Sequence, residues 1–174
     1  MNLLLHICCA PCTVYPHQQL TQAGVQIKGF FFNPNIHPLQ EFKKRLLAVQ
    51  QLQTITGLPV IYRDEYGLEE FVRQVVFREQ QRCSFCYFWR LEMVAKTAKE
   101  QNCAAFSSTL LYSKYQKHEL IKEIAEDIAQ KEKIPFYYED FRRGFSEGIN
   151  LSRQMQLYRQ PYCGCIYSEA ERYK

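Results

Sequence analysis

The sequence predicts an α/β fold, a doubly wound and mainly parallel sheet with helices on both faces. Short apolar runs alternate along the chain with longer segments in which apolar residues recur at helical spacing. Turn-forming Gly, Pro and Asn residues stand at many of the junctions between them. Strands that alternate with helices form parallel sheets that are covered on both faces. The length of 174 residues, without repeats or linkers, fits a single domain over residues 1–174.

The first part of the chain is expected to contain two strand–helix pairs. Residues 3–7 form an apolar run that predicts the first strand, and residues 15–22 predict a short helix after it. Residues 25–32 predict the second strand, which ends at an Asn-Pro-Asn turn. Residues 41–54 carry apolar side chains at mostly helical spacing, and Gly57 suits the end of that helix.

The remainder of the chain continues this alternation. Apolar runs predict three further strands at residues 59–63, 103–108 and 134–138. Helical spacing of apolar residues predicts three further helices at residues 68–76, 87–100 and 119–131. The segment after residue 141 is polar and aromatic and has no clear periodicity, so no element is predicted there.

The predicted sheet also indicates where a ligand binds. In parallel sheets of this type, ligands lie beyond the carboxyl ends of the strands. The segments that follow strands at this edge are residues 8–12, 33–37, 109–117 and 140–143. They contain many of the chemically distinctive side chains of the chain, so we expect the functional site at this edge.

The chain contains eight cysteines, which is too many for residues that only fill the core. A chain of this size with 47% hydrophobic residues does not need disulfides to fold, and clustered cysteines in a reducing compartment indicate metal or redox chemistry. We expect a cytoplasmic protein, because the N-terminal segment lacks the basic region of a leader peptide. The apolar runs are too short to span a membrane, so no membrane partner is expected.

Most of the cysteines fall into three clusters. The first, CCAPC at residues 8–12, lies where the first strand turns into a helix, and a helix N-terminus lowers the pKa of nearby thiols. The second, CSFC at residues 83–86, opens another helix and has a spacing that lets two sulfurs reach one metal centre. The third is CGC at residues 163–165.

Spacing alone leaves three interpretations of these clusters open. The favoured one is an iron–sulfur cluster, because several iron atoms accept neighbouring thiolates more readily than one zinc ion does. Its ligands would be Cys8, Cys9, Cys83 and Cys86. The second interpretation is a thioredoxin-like dithiol of Cys9 and Cys12, and the third is structural zinc bound by two of the pairs. A dithiol leaves the later cysteines without a role, and zinc does not explain three clusters.

Six motifs follow one another along nearly the whole chain. They are LLLHICCAPC at 3–12, FNPNIHP at 32–38, RCSFCY at 82–87, STLLYSKYQKH at 108–118, DFR at 140–142 and YRQPYCGC at 158–165. Together they resemble the epoxyqueuosine reductase QueH family. The resemblance implies a three-layer fold like that of adenine-nucleotide hydrolases. It also implies an oxidoreductase that converts epoxyqueuosine at the wobble position of tRNA to queuosine, with the epoxide oxygen leaving as water.

The resemblance further implies a [4Fe-4S] cluster with a second, mononuclear iron close by. Cys12 is expected either to bind that second iron or to cap the turn. Converting an epoxide to an alkene takes two electrons, which a dithiol can supply together, so Cys163 and Cys165 are expected as a redox pair. The alternative is that both of them bind metal. Asp140 is expected to donate a proton or bind iron, with helix capping or an ion pair to a neighbouring arginine as the alternative.

The expected macromolecular partner is the anticodon stem-loop of tRNA, together with an electron donor that the sequence does not identify. The net charge is +4, and residues 141–160 hold four arginines against one glutamate, although charge alone fits a solvated loop better. Tyr112 or Tyr115 is expected to stack on an unpaired base. The residues expected to contact the substrate are Asn33, Asn35, His37, Tyr112, Lys114, Tyr115, Lys117, Arg142, Arg143, Arg153 and Arg159.

Overall fold

The computed structural model describes all 174 residues, and its centre is a sheet of four parallel strands. The strands are β1 (Asn2–His6), β2 (Gln26–Phe32), β3 (Val60–Arg63) and β4 (Ala105–Ser108). Their order across the sheet is β3-β2-β1-β4, so the chain starts near the centre and winds outward in both directions. In this register Leu3 of β1 lies between Ile27 of β2 and Ala105 of β4. The topology confirms the predicted doubly wound parallel sheet.

The chain forms seven α-helices. They are α1 (Ala10–Gln22), α2 (Leu39–Thr56), α3 (Leu68–Val75), α4 (Arg82–Glu100), α5 (His118–Glu132), α6 (Phe145–Gln154) and α7 (Ile166–Tyr173). Successive residues of β2 point to opposite faces of the sheet. Phe31 packs in a core with α2, whereas Phe30 and Phe32 belong to a larger core with α4 and α5. The layers are therefore helix, sheet and helix. None of the helices combines the length and the apolar character that a membrane span needs.

The fifth predicted strand, residues 134–138, is wrong. This segment forms only a single parallel bridge, in which Phe136 pairs with Phe106 of β4. The Phe106 N–H donates to the Pro135 carbonyl at 3.0 Å, and the Tyr137 N–H donates to the Phe106 carbonyl at 2.8 Å. Proline has no N–H to donate, so the pairing cannot continue from Phe136 back through Pro135.

Three differences from the predicted helices affect the site. Helix α1 begins at Ala10 and not at residue 15, because Pro11 suits the first turn of a helix. Helix α4 begins at Arg82, so the CSFC cluster lies inside its first turns. The segment after residue 141, which shows no periodicity in the sequence, contains α6 and α7. The structure thus places the last cysteine cluster in the connection between two short helices.

Candidate metal and redox site

A cavity of about 680 Å³ opens at the carboxyl edge of the sheet. Its walls come from the β1–α1 turn, the start of α4, the segment after β4, and the C-terminal part of the chain from α6 to α7. Five of the residues that line it are cysteines: Cys8, Cys9, Cys12, Cys86 and Cys163. The fold therefore brings thiols from all three sequence clusters to one cavity.

Cys8, Cys9 and Cys12 form a compact group of thiols. Their sulfur atoms all lie within 4.8 Å of one another, and those of Cys8 and Cys9 are 3.9 Å apart. Thr109 holds the turn, since its hydroxyl accepts from the Cys8 backbone N–H at 3.0 Å and donates to the Cys8 sulfur at 3.2 Å. Three thiols at this spacing can hold a metal ion, because thiolates are ligands of zinc and iron.

Hydrogen bonds within this group give its thiols different acidities. Hydrogen bonds with Cys12, Cys9 and Thr109 hold the pKa of the Cys8 thiol well below its usual range. Burial raises the pKa of the Cys9 thiol, and the hydrogen bond to Cys8 raises the pKa of the Cys12 thiol. The group therefore favours one thiolate supported by two thiols, and a metal ion that binds to all three sulfurs would displace the remaining protons.

Cys83 and Cys86 lie at the start of α4, outside this group of three thiols. Cys86 lines the cavity, and burial raises its pKa to about 11. The Asn35 amide faces the Cys86 sulfur and opposes that rise in pKa, yet the buried Asn35 Nδ2 makes no hydrogen bond of normal geometry. A buried amide donor beside a sulfur suits a thiolate ligand, because a thiolate accepts hydrogen bonds more strongly than a thiol does.

The third cysteine cluster, residues 163–165, is fixed to α2 by a buried ion pair. Arg45 pairs with Glu41 at 2.7 Å. The same guanidinium donates to the Tyr162 carbonyl at 3.0 Å and to the Cys163 carbonyl at 2.7 Å. The Tyr158 hydroxyl donates to the other carboxylate oxygen of Glu41 at 2.6 Å. This network anchors the chain immediately before and within the cluster.

Gly164 allows the cluster to pass close to α2. Its φ of 152° favours glycine, and a Cβ at this position would lie 3.2 Å from a terminal nitrogen of Arg45. The Gly164 carbonyl accepts from the His37 N–H at 2.7 Å, and its N–H donates to the Ser168 hydroxyl at 3.0 Å. His37 Nδ1 also accepts from the Ile166 N–H at 3.1 Å. The backbone conformation therefore favours glycine between the two cysteines, and a side chain there would also crowd Arg45.

The two thiols of this cluster have different surroundings. Cys163 is exposed at the cavity, and its sulfur accepts from Nε2 of Gln116 at 3.2 Å. Cys165 is half-buried, immediately precedes α7 and lies beside Arg82. All eight cysteines are free thiols in this structure. A disulfide between Cys163 and Cys165 therefore stays a prediction.

One protein family, described as epoxyqueuosine reductase QueH, has a sequence model that matches residues 3–171. The chain belongs to the QueH family. It is 37% identical over 172 residues to an epoxyqueuosine reductase QueH of Dehalococcoides mccartyi, an alignment that covers 99% of this chain and 94% of the relative. A relative of the same name from Thermotoga maritima is 34% identical over 181 residues, with 98% and 92% covered. One from Streptococcus pyogenes is 32% identical over 179 residues, with 96% and 70% covered.

Asp140 makes capping and ion-pair contacts in this member of the QueH family. Its Oδ1 accepts from the Arg142 backbone N–H at 3.0 Å and so caps the 3-10 turn Phe141–Gly144. Its Oδ2 pairs with the Arg142 guanidinium at 2.6 Å. These hydrogen bonds lower the pKa of Asp140 to about 2, so the carboxyl group carries no proton near neutral pH. The structure thus supports the capping and ion-pair alternative, and a catalytic role for Asp140 stays a prediction.

Asn33, Asn35 and His37 are fully buried, and none of them lines the cavity of this QueH-family chain. Asn33 donates to the Ile7 carbonyl at 2.8 Å, and its Oδ1 lies 3.2 Å from Nε2 of His6. These contacts join the chain just after β1 to the chain just after β2. The three side chains therefore support the edge of the sheet, and direct contact with a substrate stays a prediction for each.

Only some of the predicted RNA contacts lie at the cavity. Tyr112, Tyr115 and Arg159 line it, whereas the other basic residues of that set do not. Tyr115 is 86% exposed, but Tyr112 is buried and its hydroxyl donates to the Phe145 carbonyl at 2.8 Å. The ammonium group of Lys114 lies 5.1 Å from the centre of the Phe145 ring. The basic residues that do not line the cavity are Lys114, Lys117, Arg142, Arg143 and Arg153.

The site also uses residues that the sequence analysis does not single out. Nε2 of Gln160 donates to the Cys9 sulfur at 2.9 Å and lies 3.9 Å from the Cys12 sulfur. Gln116 and Gln160 lie within two of the QueH-like motifs, so these motifs could have indicated both residues. Glu41 and Arg45 stand four residues apart in α2, a spacing that already indicates an ion pair from the sequence. The residues missed are Glu41, Arg45, Arg90, Gln116 and Gln160.

Proposed function

We propose that this chain is an epoxyqueuosine reductase, an oxidoreductase that converts epoxyqueuosine at the wobble position of tRNA to queuosine. One observation carries the proposal: five cysteines line one cavity at the carboxyl edge of the sheet in a QueH-family chain. The relatives from D. mccartyi and T. maritima carry this activity in their names. No observation favours the thioredoxin-like or zinc-binding alternatives.

The proposed cofactor is a [4Fe-4S] cluster. Its proposed ligands are Cys8, Cys9, Cys83 and Cys86. Three of these thiols line the cavity, whereas Cys83 does not. The three thiols fit such a cluster, because the buried Asn35 amide N–H has no other partner near Cys86 and the buried Arg90 offsets negative charge. When bound, such a cluster supplies electrons one at a time. Cys12, whose sulfur lies with those of two proposed ligands, is the proposed ligand of a second, mononuclear iron.

The proposed electron pair for the reaction comes from the thiols of Cys163 and Cys165. Their two S–H bonds break and an S–S bond forms, while both C–O bonds of the epoxide break and an alkene forms. The two electrons and two protons from the thiols leave with the oxygen as water. Gln116 orients the Cys163 sulfur, and Arg45 fixes its backbone. A cellular thiol reductant then restores the dithiol.

The proposed substrate is presented by the anticodon stem-loop of tRNA. Tyr115 is exposed at the cavity, where it can stack on an unpaired base. Arg159 lines the same cavity, and Lys114 immediately precedes Tyr115 in the chain. Both side chains can therefore contact phosphates. We place this reaction in the cytoplasm, where tRNA is present and thiols stay reduced.

Anaerobic incubation of the iron-reconstituted, reduced protein with tRNA that carries epoxyqueuosine tests the proposed function. The tRNA is digested and its nucleosides are compared by mass. We expect a product that is lighter than the substrate by one oxygen atom. The proposed function is overturned if the wild-type protein has an intact, reducible cluster and the mass of the nucleoside stays unchanged.

Two variants test the proposed role of the third cysteine cluster in the same assay. Cys163→Ser and Cys165→Ser should each retain the visible absorption of the cluster and lose the product, because one sulfur cannot supply both electrons. Loss of the absorption in either variant makes that cysteine a metal ligand. Full activity in both variants would show that the dithiol does not supply the electrons and would assign the redox chemistry to the metal centre.

A further inference from the structure

Arg90 is a buried cation without a carboxylate partner. Its side chain lies in α4 and is only slightly exposed, at the wall of the cavity. Nε donates to Oδ1 of Asn35 at 2.8 Å, and no acidic residue pairs with the guanidinium. The other buried arginine, Arg45, is paired with Glu41 at 2.7 Å. Removing a charge from water is costly unless an opposite charge compensates it, so a negative group in the cavity would offset the cost of burying Arg90.

The protein groups around Arg90 do not supply this charge as long as the thiols are protonated. The two histidines near Arg90, His6 and His37, are bases and supply no negative charge in either protonation state. Cys86 lies one helical turn before Arg90 and lines the same cavity. A thiolate bound to metal is therefore the negative group that the surroundings of Arg90 can provide.

Asn35 links these two residues. Its Oδ1 accepts from Arg90 at 2.8 Å, and its amide nitrogen faces the Cys86 sulfur. Asn35 is fully buried, so neither of its polar atoms has water as an alternative partner. Asn35 therefore joins the buried guanidinium to an amide N–H that has no partner in the protein, beside the cavity that Arg90 and Cys86 share.

We propose that Arg90, oriented by Asn35, is a positioning residue that sets the reduction potential of the metal centre bound by Cys86. The inference rests on the proposed function, because it requires the iron–sulfur cluster there. Reduction adds one negative charge to the centre, and a buried positive charge stabilises the reduced form more than the oxidised form. Hydrogen bonds to cluster sulfurs act in the same direction.

A redox titration of the iron-reconstituted protein tests this inference. Dithionite is the reductant, and the EPR signal of the reduced cluster gives the midpoint potential. Arg90→Met removes the charge at similar side-chain length, and we expect the reduction equilibrium to weaken about tenfold, which is about 59 mV downward for one electron. Arg90→Lys keeps the charge but not the planar contact with Asn35, so we expect a smaller downward shift. Arg159→Met is the matched control, because it also removes a cation from this cavity. Arg159 is exposed, so water and salt already screen its charge and its removal should leave the potential unchanged.

The possible results separate this inference from the proposed function. An unchanged potential in Arg90→Met, or an equal shift in Arg159→Met, overturns the inference and leaves the proposed function intact. If Arg90→Met does not fold or bind iron, Asn35→Leu decides, since it removes both the acceptor for Arg90 and the donor to Cys86. A lower potential in Asn35→Leu supports the inference, and an unchanged one overturns it. A wild-type protein that binds no iron–sulfur cluster overturns the proposed cofactor together with this inference.

Discussion

Removing the positive charge of Arg45 is predicted to destabilise the protein and to release its C-terminal segment. The guanidinium binds the Glu41 carboxylate at 2.7 Å and the carbonyls of Tyr162 and Cys163 at 3.0 and 2.7 Å. The side chains of the ion pair are only 3% and 7% exposed. In Arg45→Met, the Glu41 carboxylate would stay buried with the Tyr158 hydroxyl as its remaining side-chain donor.

The expected magnitude follows from this burial. Removing one partner of a buried ion pair costs about 3–5 kcal/mol, because the other charge is left uncompensated. Total stabilities are about 5–15 kcal/mol, so Arg45→Met is expected to lose a large fraction of the free energy of unfolding. The double variant Arg45→Met/Glu41→Gln leaves no unpaired charge and should be more stable than Arg45→Met. Arg45→Lys keeps the charge but reaches fewer of the three acceptors, and a lost hydrogen bond to a charged donor costs about 1.5–3 kcal/mol.

Urea unfolding followed by circular dichroism measures these differences, and limited proteolysis reports release of the C-terminal segment. Arg73→Met is the control, because its ion pair with Glu69 has side chains that are 70% and 81% exposed. A pair that exposed contributes at most about 1 kcal/mol. Equal stability of Arg45→Met and Arg73→Met would refute the reasoning, as would a double variant that is no more stable than Arg45→Met.

Three further predictions concern the site. Alanine at any proposed cluster ligand should remove the colour of the reconstituted protein and lower its iron content. The control Cys103→Ala should do neither. A colourless wild type with stoichiometric zinc would contradict this prediction. These ligands are Cys8, Cys9, Cys83 and Cys86. The pKa of Asp140 falls from 3.8 to about 2 in the folded protein, so its pair with Arg142 stabilises the fold above pH 3.8 and is lost as the pH falls through about 2. Urea unfolding of wild type and Asp140→Asn should therefore differ at neutral pH and converge in acid, and a constant difference would argue against this pair. Tyr115→Ala should weaken binding of an anticodon stem-loop by about 1–3 kcal/mol with an unchanged salt slope, whereas Lys114→Ala should make the slope shallower by about one. Binding that does not depend on salt would contradict the phosphate contacts.

Local sequence pattern predicted the central part of the fold because β1 to β4 are short apolar runs bounded by turn residues. It failed where tertiary contacts decide the structure. The segment around Pro135 reads as a strand, yet proline cannot donate to the ladder. Helix α6 is not predicted, because the segment after residue 141 shows no clear periodicity. A Cβ at Gly148 of α6 would lie only 2.3 Å from the Tyr112 hydroxyl oxygen, so this position has room only for glycine. The helix therefore depends on packing against Tyr112, which the local sequence of α6 does not indicate.

The sequence motifs indicated the cysteines of the site but not the polar residues around them. Gln160 contacts the Cys9 sulfur across 151 positions of the chain, and a local pattern does not specify such a pair. Arg90 stands in the middle of α4, where an arginine usually lies on the solvated face. The sequence predicts Asp140 near the chemistry because this residue follows a predicted strand. Arg142, two residues further along the chain, binds both of its oxygens instead.

The surroundings of the thiols support the proposed division of roles between them. Cys8 and Cys9 are buried between the central strand and α1, where their positions are fixed and reagents from solvent have little access. A thiol that reduces a substrate and is then restored by an external reductant must be reachable from solvent, because exchange begins with attack on sulfur. Cys163 is the one exposed cysteine, since the other seven are buried or half-buried. Its backbone is nevertheless held by Arg45 and its sulfur by Gln116, so it combines access with a defined position at the cavity.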